Sequence, residues 1–266
     1  MKTEEKDFGT VTATKKEGFA VVALNRPDKL NALSPDLIKD FISAWRDVAD
    51  DDDIRAVVIT GNGPSFSAGG DVVKDLDPLR KMGASEFHRY FSQAEVMYKG
   101  IIDLEKPVIA AINGFAVGAG LDLALAADIR IAAEDAKMGE FFVRMGLTPE
   151  LGIYVLPRLV GLGWAKLICL TGDVIDAAQA EKIGLVEKVV PAEQLLSSAE
   201  ELARKLARGP VATGTIKKAL NESLKMTLSS SLDYVSRLQY QLSHTEDHEE
   251  AVTAWLEKRK AVFKGR

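Results

Sequence analysis

Ile-Arg-Ala-Val-Val-Ile-Thr over residues 54–60 runs into Gly-Asn-Gly-Pro-Ser-Phe-Ser-Ala-Gly-Gly-Asp, which ends at Asp71. Val-Ile-Ala-Ala-Ile over residues 108–112 runs into Asn-Gly-Phe-Ala-Val-Gly-Ala-Gly-Leu-Asp, which ends at Asp122. Each stretch is a short apolar run followed by a glycine-rich turn and an acid. Runs of this length and Val/Ile content, bounded by turn residues, predict buried parallel strands. Glycines let the backbone turn sharply and approach a ligand closely. Two such turns at one edge of one sheet can aim two backbone N–H groups at a single oxygen, which is an oxyanion hole. Pattern alone is equally compatible with tight strand-to-helix connections that carry no chemistry.

The turns depart from the common phosphate-binding loops. Gly118 and Gly120 supply the first two glycines of a dinucleotide fingerprint, but Leu123 stands at the third. The turns end Gly69-Gly70-Asp71 and Gly120-Leu121-Asp122, without the lysine of a P-loop.

Strand and helix signals alternate through the first half of the chain, as in an α/β unit. Phe8–Thr14 and Phe19–Leu24 read as an opening hairpin around Lys15-Lys16-Glu17-Gly18. Ser34-Pro35 reads as an N-cap followed by proline at the first helical position, with Leu37, Phe41, Ala44, Trp45 and Val48 on one face. Glu86–Leu104 reads as helix, Leu121–Ala127 as a short helix and Ile129–Ala133 as a strand. From about Leu195 strand signals stop, and Ala199–Arg208, Val211–Lys225, Leu232–Ser243 and His248–Lys260 all read as helices. The expected organisation is an α/β body over residues 1–194 and a helical subdomain over 195–266. Ile216, Leu220, Leu232, Val235 and Leu238 in that subdomain suit either the core or an oligomer interface.

The 266 residues are enough for a large core, and 34 Lys plus Arg against 39 Asp plus Glu give a net charge of −5. No basic excess points to nucleic acid. The most apolar stretch, Val108–Leu121, is too short and too glycine-broken for a membrane span of about 20 residues. The charged start of the chain has no apolar signal core. A single cysteine, Cys169, excludes an internal disulfide and reads as a core thiol. The expectation is a cytoplasmic protein without nucleic-acid or membrane partners.

Of three histidines, His244 and His248 are one helical turn apart, but their acidic run reads as a solvated helix start. The carboxylates near the turns are the stronger acid–base candidates. Asp122 follows the second turn, where an acid also suits a helix dipole. Thr148-Pro149-Glu150 can be an N-cap, a first-position proline and a first-turn acid. Glu140 stands beside Phe141 and Phe142, and a carboxyl in apolar surroundings holds its proton to higher pH.

With their surroundings, these turns resemble the crotonase family, the enoyl-CoA hydratase/isomerase group. The likeness runs from about Gly18 to Arg266. It includes Asn25-Arg26-Pro27, Lys29-Leu30-Asn31-Ala32-Leu33, Phe66-Ser67-Ala68-Gly69-Gly70-Asp71, Pro107–Leu125, Leu156-Pro157-Arg158-Leu159-Val160-Gly161, Leu170-Thr171-Gly172 and Gly184-Leu185-Val186. The resemblance implies a ββα superhelix with a helical oligomerisation tail, assembled as homotrimers or homohexamers. It implies an acyl-CoA substrate of fatty acid metabolism, with coenzyme A as part of the substrate and no permanently bound cofactor or metal. The thioester oxygen is expected between the N–H groups of Ala68 and Ala119. Lys29, Leu30, Ser67, Gly69, Gly70, Asp71 and Phe142 are expected along the substrate, and Lys260 and Lys264 near the coenzyme A phosphates.

Hydratases of this family use two glutamates, and here their places hold Asp122 and Phe142. Phenylalanine cannot move a proton. Glu150 falls where isomerases of the family carry one catalytic carboxylate. The favoured expectation is therefore an enoyl-CoA isomerase with Glu150 as base and Asp122 as an orienting acid. The alternatives are a hydratase using Asp122 with Glu150 or Glu140, the last by strand alternation with position 142, other enolate chemistry, and a non-catalytic acyl-CoA-binding protein.

Overall fold

A computed structural model describes residues 3–266. Strands β1 (Glu4–Asp7), β2 (Val11–Lys16), β3 (Phe19–Leu24), β4 (Ala56–Gly61), β6 (Val108–Ile112), β8 (Ile129–Ala133) and β11 (Lys188–Val190) form one sheet in the order β1-β2-β3-β4-β6-β8-β11. The pairs from β3 to β11 are parallel, and β1-β2-β3 are antiparallel. β5 (Ser65–Ser67), β7 (Phe115–Val117), β9 (Lys137–Gly139) and β10 (Ile175–Asp176) form a smaller sheet in the order β10-β9-β7-β5. Each long strand thus hands the chain to a short one: β4 to β5, β6 to β7, β8 to β9. The expected ββα repeat is present.

β3, β4 and β6 are buried at every position, which is why their sequence reads as continuous Val, Ile and Ala without alternation. α1 (Pro35–Ala49) begins as expected: the Ser34 side chain accepts from the Leu37 N–H, and Pro35 opens the first turn. Its buried Leu37, Ile38, Phe41, Ala44, Trp45 and Val48 form one helical stripe. α2 (Asp77–Leu79) is a single turn, and α3 (Ala84–Ile102) packs against α1. α4 (Ala119–Leu125) follows β7; α5 (Gly152–Leu159) and α6 (Gly161–Thr171) pack together. α7 is Ala177–Lys182.

The helical tail differs from its expected boundary. α8 (Leu195–Ala207) lies along β4, β6 and β8 and buries Leu195, Ala199, Ala203 and Ala207 in the main core. It belongs to the α/β body. The change of character comes with α9 (Ala212–Ser223), α10 (Leu228–Leu242) and α11 (Glu246–Leu256). α10 buries none of its residues, and Leu220, Leu232, Tyr240 and Trp255 are exposed. α9 is tied to the body by Lys217, whose buried ammonium pairs with Asp128 at 2.9 Å. No helix among the described residues is long and apolar enough to cross a membrane.

Candidate active site

The two glycine turns meet. Gly69 takes φ 85°, and a Cβ added there would lie 2.7 Å from the Val117 carbonyl oxygen and 3.6 Å from the Ala119 nitrogen. A Cβ on Gly120 would strike the Ser67 carbonyl. Glycine at both positions lets the turn after β5 nest against the start of α4. The Ala119 N–H, at the first position of α4, donates to no acceptor among the described residues, and Ala119 does not have positive φ. An alanine there costs no backbone strain.

The partner donor is not the expected one. The Ala68 N–H donates to the Leu30 carbonyl at 2.9 Å, so Ala68 anchors the Lys29-Leu30 loop and has no free donor. Two residues on, the Gly70 N–H has no acceptor among the described residues. Leu33 and Asp71 exchange bonds around it: the Leu33 N–H donates to the Gly69 carbonyl at 2.7 Å, and the Asp71 N–H to the Leu33 carbonyl at 2.8 Å. This short parallel bridge turns the Gly70 N–H outward.

Other expected substrate contacts hold the loops in shape. Ser67 is buried, donates its hydroxyl to the Asn31 carbonyl at 2.9 Å and accepts from the Gly69 N–H at 3.2 Å. Leu30 and Asn31 both take positive φ, 50° and 54°. The buried Asn31 amide holds that conformation by donating to the carbonyls of Asn62 and Ser65 at 3.0 and 2.8 Å. Asp71 pairs with Arg26 at 2.9 Å and caps the N–H groups of Val73 and Lys74. Burial works against its ionised form, but these donors outweigh burial and leave its carboxyl below the ordinary value. Lys29 and Lys260 are exposed, and Lys264 pairs with Glu246 at 3.3 Å.

Asp122 is fully buried and faces another helix's N-terminus rather than its own. It accepts the N–H groups of Glu150 and Leu151 at 3.1 Å each and of Gly152 at 2.6 Å. Leu151 and Gly152 open α5, so Asp122, not Thr148, satisfies the donors at its start and also holds the Glu150 N–H just before it. Even so, burial first and the Glu150 charge second push its carboxyl up to about 7. Glu140 is also fully buried, and neither of its carboxyl oxygens has a hydrogen-bond partner among the described residues. It shares the pocket over Gly152 with Asp122: a Cβ on Gly152 would lie 2.6 Å from Glu140 Oε1 and 2.9 Å from Asp122 Oδ1. Burial first and the Asp122 charge second push the Glu140 carboxyl strongly upward, favouring its neutral form. Strand alternation does not relate it to position 142, because β9 ends at Gly139 and residues Phe141–Met145 form a 3-10 turn. Phe142 is buried, its Cε2 3.9 Å from a Cβ built on Gly118.

Glu150 alone of the expected acids opens onto the cavity that Ala119 lines. The Tyr98 hydroxyl donates to its Oε2 at 3.0 Å. Burial raises its carboxyl above the ordinary value; Tyr98 opposes this and the Asp75 charge adds to it. Four further polar residues line the cavity beyond those expected: Tyr98, Tyr90, Asp75 and Gln93. Tyr90 and Tyr98 are eight residues apart on α3, a spacing that places both on one helical face and was legible as such. Cys169 is half-buried and its thiol is pushed up to about 11, chiefly by burial. No cluster of three metal-binding side chains occurs among the described residues.

The enoyl-CoA hydratase/isomerase family matches residues 14–266. A short-chain-enoyl-CoA hydratase of Clostridium acetobutylicum is 39% identical over 264 residues, 98% of this chain and 100% of that one. A 1,2-epoxyphenylacetyl-CoA isomerase of Escherichia coli is 36% identical over 257 residues, 94% of this chain and 97% of that one. The crystal structure of an enoyl-CoA hydratase from Bacillus anthracis superposes with a TM-score of 0.90 at 32% identity, covering 97% of this chain and 100% of that one.

Proposed function

Since the chain belongs to the enoyl-CoA hydratase/isomerase family, we propose that it is an isomerase that moves a double bond of an enoyl-CoA between the 3 and 2 positions. The single observation that carries this reading is that Glu150 is the one expected carboxylate lining the Ala119 cavity, while Asp122 has both oxygens taken by backbone donors. A 1,3 shift needs one base. Water addition needs a second acid or base to place the water, and Phe142 offers none.

In the proposed reaction the thioester oxygen lies between the N–H groups of Gly70 and Ala119. Glu150 takes a proton from C2 of a 3-enoyl-CoA. The C–H electrons become the enolate double bond, and negative charge develops on the thioester oxygen, where the two donors stabilise it. Collapse forms the C2–C3 double bond, and the former C3–C4 electrons take the proton back from Glu150 at C4. Tyr98 holds one Glu150 oxygen and leaves the other for the proton. A carboxyl raised by burial is better matched to this exchange near neutral pH. Asp122 is a positioning residue that fixes the 150–152 turn.

The hydratase reading is favoured by the names of several relatives, including the Clostridium protein. Incubation with 2-enoyl- and 3-enoyl-CoAs, scored separately for bond migration and for a 3-hydroxy product, separates the two. Dominant water addition would overturn the isomerase reading. The exposed apolar sides of α9–α11 support assembly into trimers or hexamers. Lys260, exposed and without an ion-pair partner among the described residues, remains the lysine proposed to meet the coenzyme A phosphates.

A further inference from the structure

The cavity has a second polar station besides Glu150. Asp75, in the helical segment Val72–Leu76, and Tyr90 of α3 both line it, among Leu33, Phe91 and Met97. The Tyr90 hydroxyl donates to Asp75 Oδ1. Asp75 Oδ2 accepts no hydrogen bond from the described residues and lies over the backbone of Gly70: a Cβ there would sit 2.5 Å from it. Gly70 is not among the glycines with positive φ, so its backbone does not demand glycine. A side chain there would have to displace the Asp75 carboxylate.

A plain hydrocarbon chain entering this cavity would strip water from a carboxylate oxygen and offer nothing in return. Burying a carboxylate oxygen without a partner is costly. A hydroxyl on the chain would supply the missing donor, and a hydrogen bond to a charged group is among the stronger ones. We infer that Asp75, oriented by Tyr90 and given space by Gly70, is a specificity-determining residue that accepts a hydrogen bond from a hydroxyl on the acyl group, so the preferred substrates are hydroxylated acyl-CoAs rather than plain hydrocarbon ones. The inference rests on the reading of this cavity as the acyl pocket of an acyl-CoA enzyme, not on which reaction follows.

Calorimetric binding of saturated hexanoyl-CoA and of 2-, 3- and 6-hydroxyhexanoyl-CoA tests it without requiring bond migration. In the wild type, at least one hydroxylated ligand should bind roughly tenfold or more tightly than hexanoyl-CoA, the scale of one hydrogen bond to a charged group. Asp75→Ala should abolish that preference while hexanoyl-CoA binds as well or better. Gly70→Ala, which keeps the backbone N–H and the Asp75 residue but crowds its carboxylate, should shrink that preference as well. Equal affinities for all four ligands in the wild type, or a preference that survives Asp75→Ala, would overturn the inference. A protein that selects the hydroxyl but moves no double bond would refute the isomerase reading alone. A protein that binds none of the four would overturn both.

Discussion

Replacing Glu140 by glutamine should make the protein more stable at alkaline pH. Burial and the neighbouring Asp122 charge move its native carboxyl from the ordinary 4.5 up to about 10. In the unfolded chain the same carboxyl ionises near its ordinary value. Between pH 5 and 8 the native state therefore keeps a proton that the unfolded state has lost. Unfolding free energy must fall with rising pH over that window, at about 1.36 kcal/mol per pH unit for one proton. Over these three units the ceiling is roughly 4 kcal/mol, and relaxation with water entry should leave on the order of 2–4 kcal/mol. The loss begins above about 4.5 and ends near 10. Glutamine has the same shape and is neutral in both states, and its amide can donate to Asp122. Glu140→Gln should thus match the wild type near pH 5 and exceed it at pH 8 by about 2 kcal/mol or more. Urea unfolding at pH 5, 6, 7 and 8, at one protein concentration, measures the difference as a lost slope of one proton. Parallel profiles, or a variant less stable at pH 8, would show that Glu140 is not held neutral.

Ala119→Pro removes the proposed oxyanion donor at the first position of α4, where proline is tolerated; turnover should fall by about a hundredfold or more with acyl-CoA binding largely kept, and near-normal turnover would remove this donor from the mechanism. Gly152→Ala places a methyl within 2.6 Å of Glu140 Oε1 and 2.9 Å of Asp122 Oδ1. It should cost about 1–3 kcal/mol in stability and lower turnover by shifting the Glu150 turn; wild-type behaviour in both would contradict the packing. Light scattering at micromolar concentration should report trimers or hexamers, and Trp255→Glu on the exposed side of α11 should shift it toward smaller species; a wild-type monomer would remove the assembly proposal.

The strands and helices that carry the repeat were legible because their signals are local. Val/Ile runs, the Ser34-Pro35 cap and the two glycine turns each depend on a few adjacent residues. The failures are long-range. Ala68 and Gly70 are both small residues in one turn, and only the Leu30 carbonyl, 38 positions upstream, decides which N–H is left free. Thr148-Pro149-Glu150 carries a complete local capping pattern, yet Asp122 supplies the cap from across the fold. Alternation failed at Glu140 because the chain leaves β9 one residue earlier and enters a 3-10 turn. Residues 195–207 read as part of the tail because their sequence is helical, but the alanines at 199, 203 and 207 are small, and the helix lies close on the sheet. Asp75 is the local exception: it carries no sequence motif, and the helical turn over Val72–Leu76 sets it over Gly70.

Glu150→Gln bears most directly on the proposed chemistry. Glutamine keeps the side chain's size and can still accept from Tyr98, but it cannot take a proton. With a 3-enoyl-CoA in deuterated water, the wild type should migrate the double bond and exchange acyl-chain protons without accumulating a 3-hydroxy product. The variant should bind the substrate nearly as well and lose migration and exchange together by about a hundredfold or more, the scale of lost general-base catalysis. Migration and exchange at wild-type rates in a folded Glu150→Gln protein would contradict the assignment of Glu150 as the base.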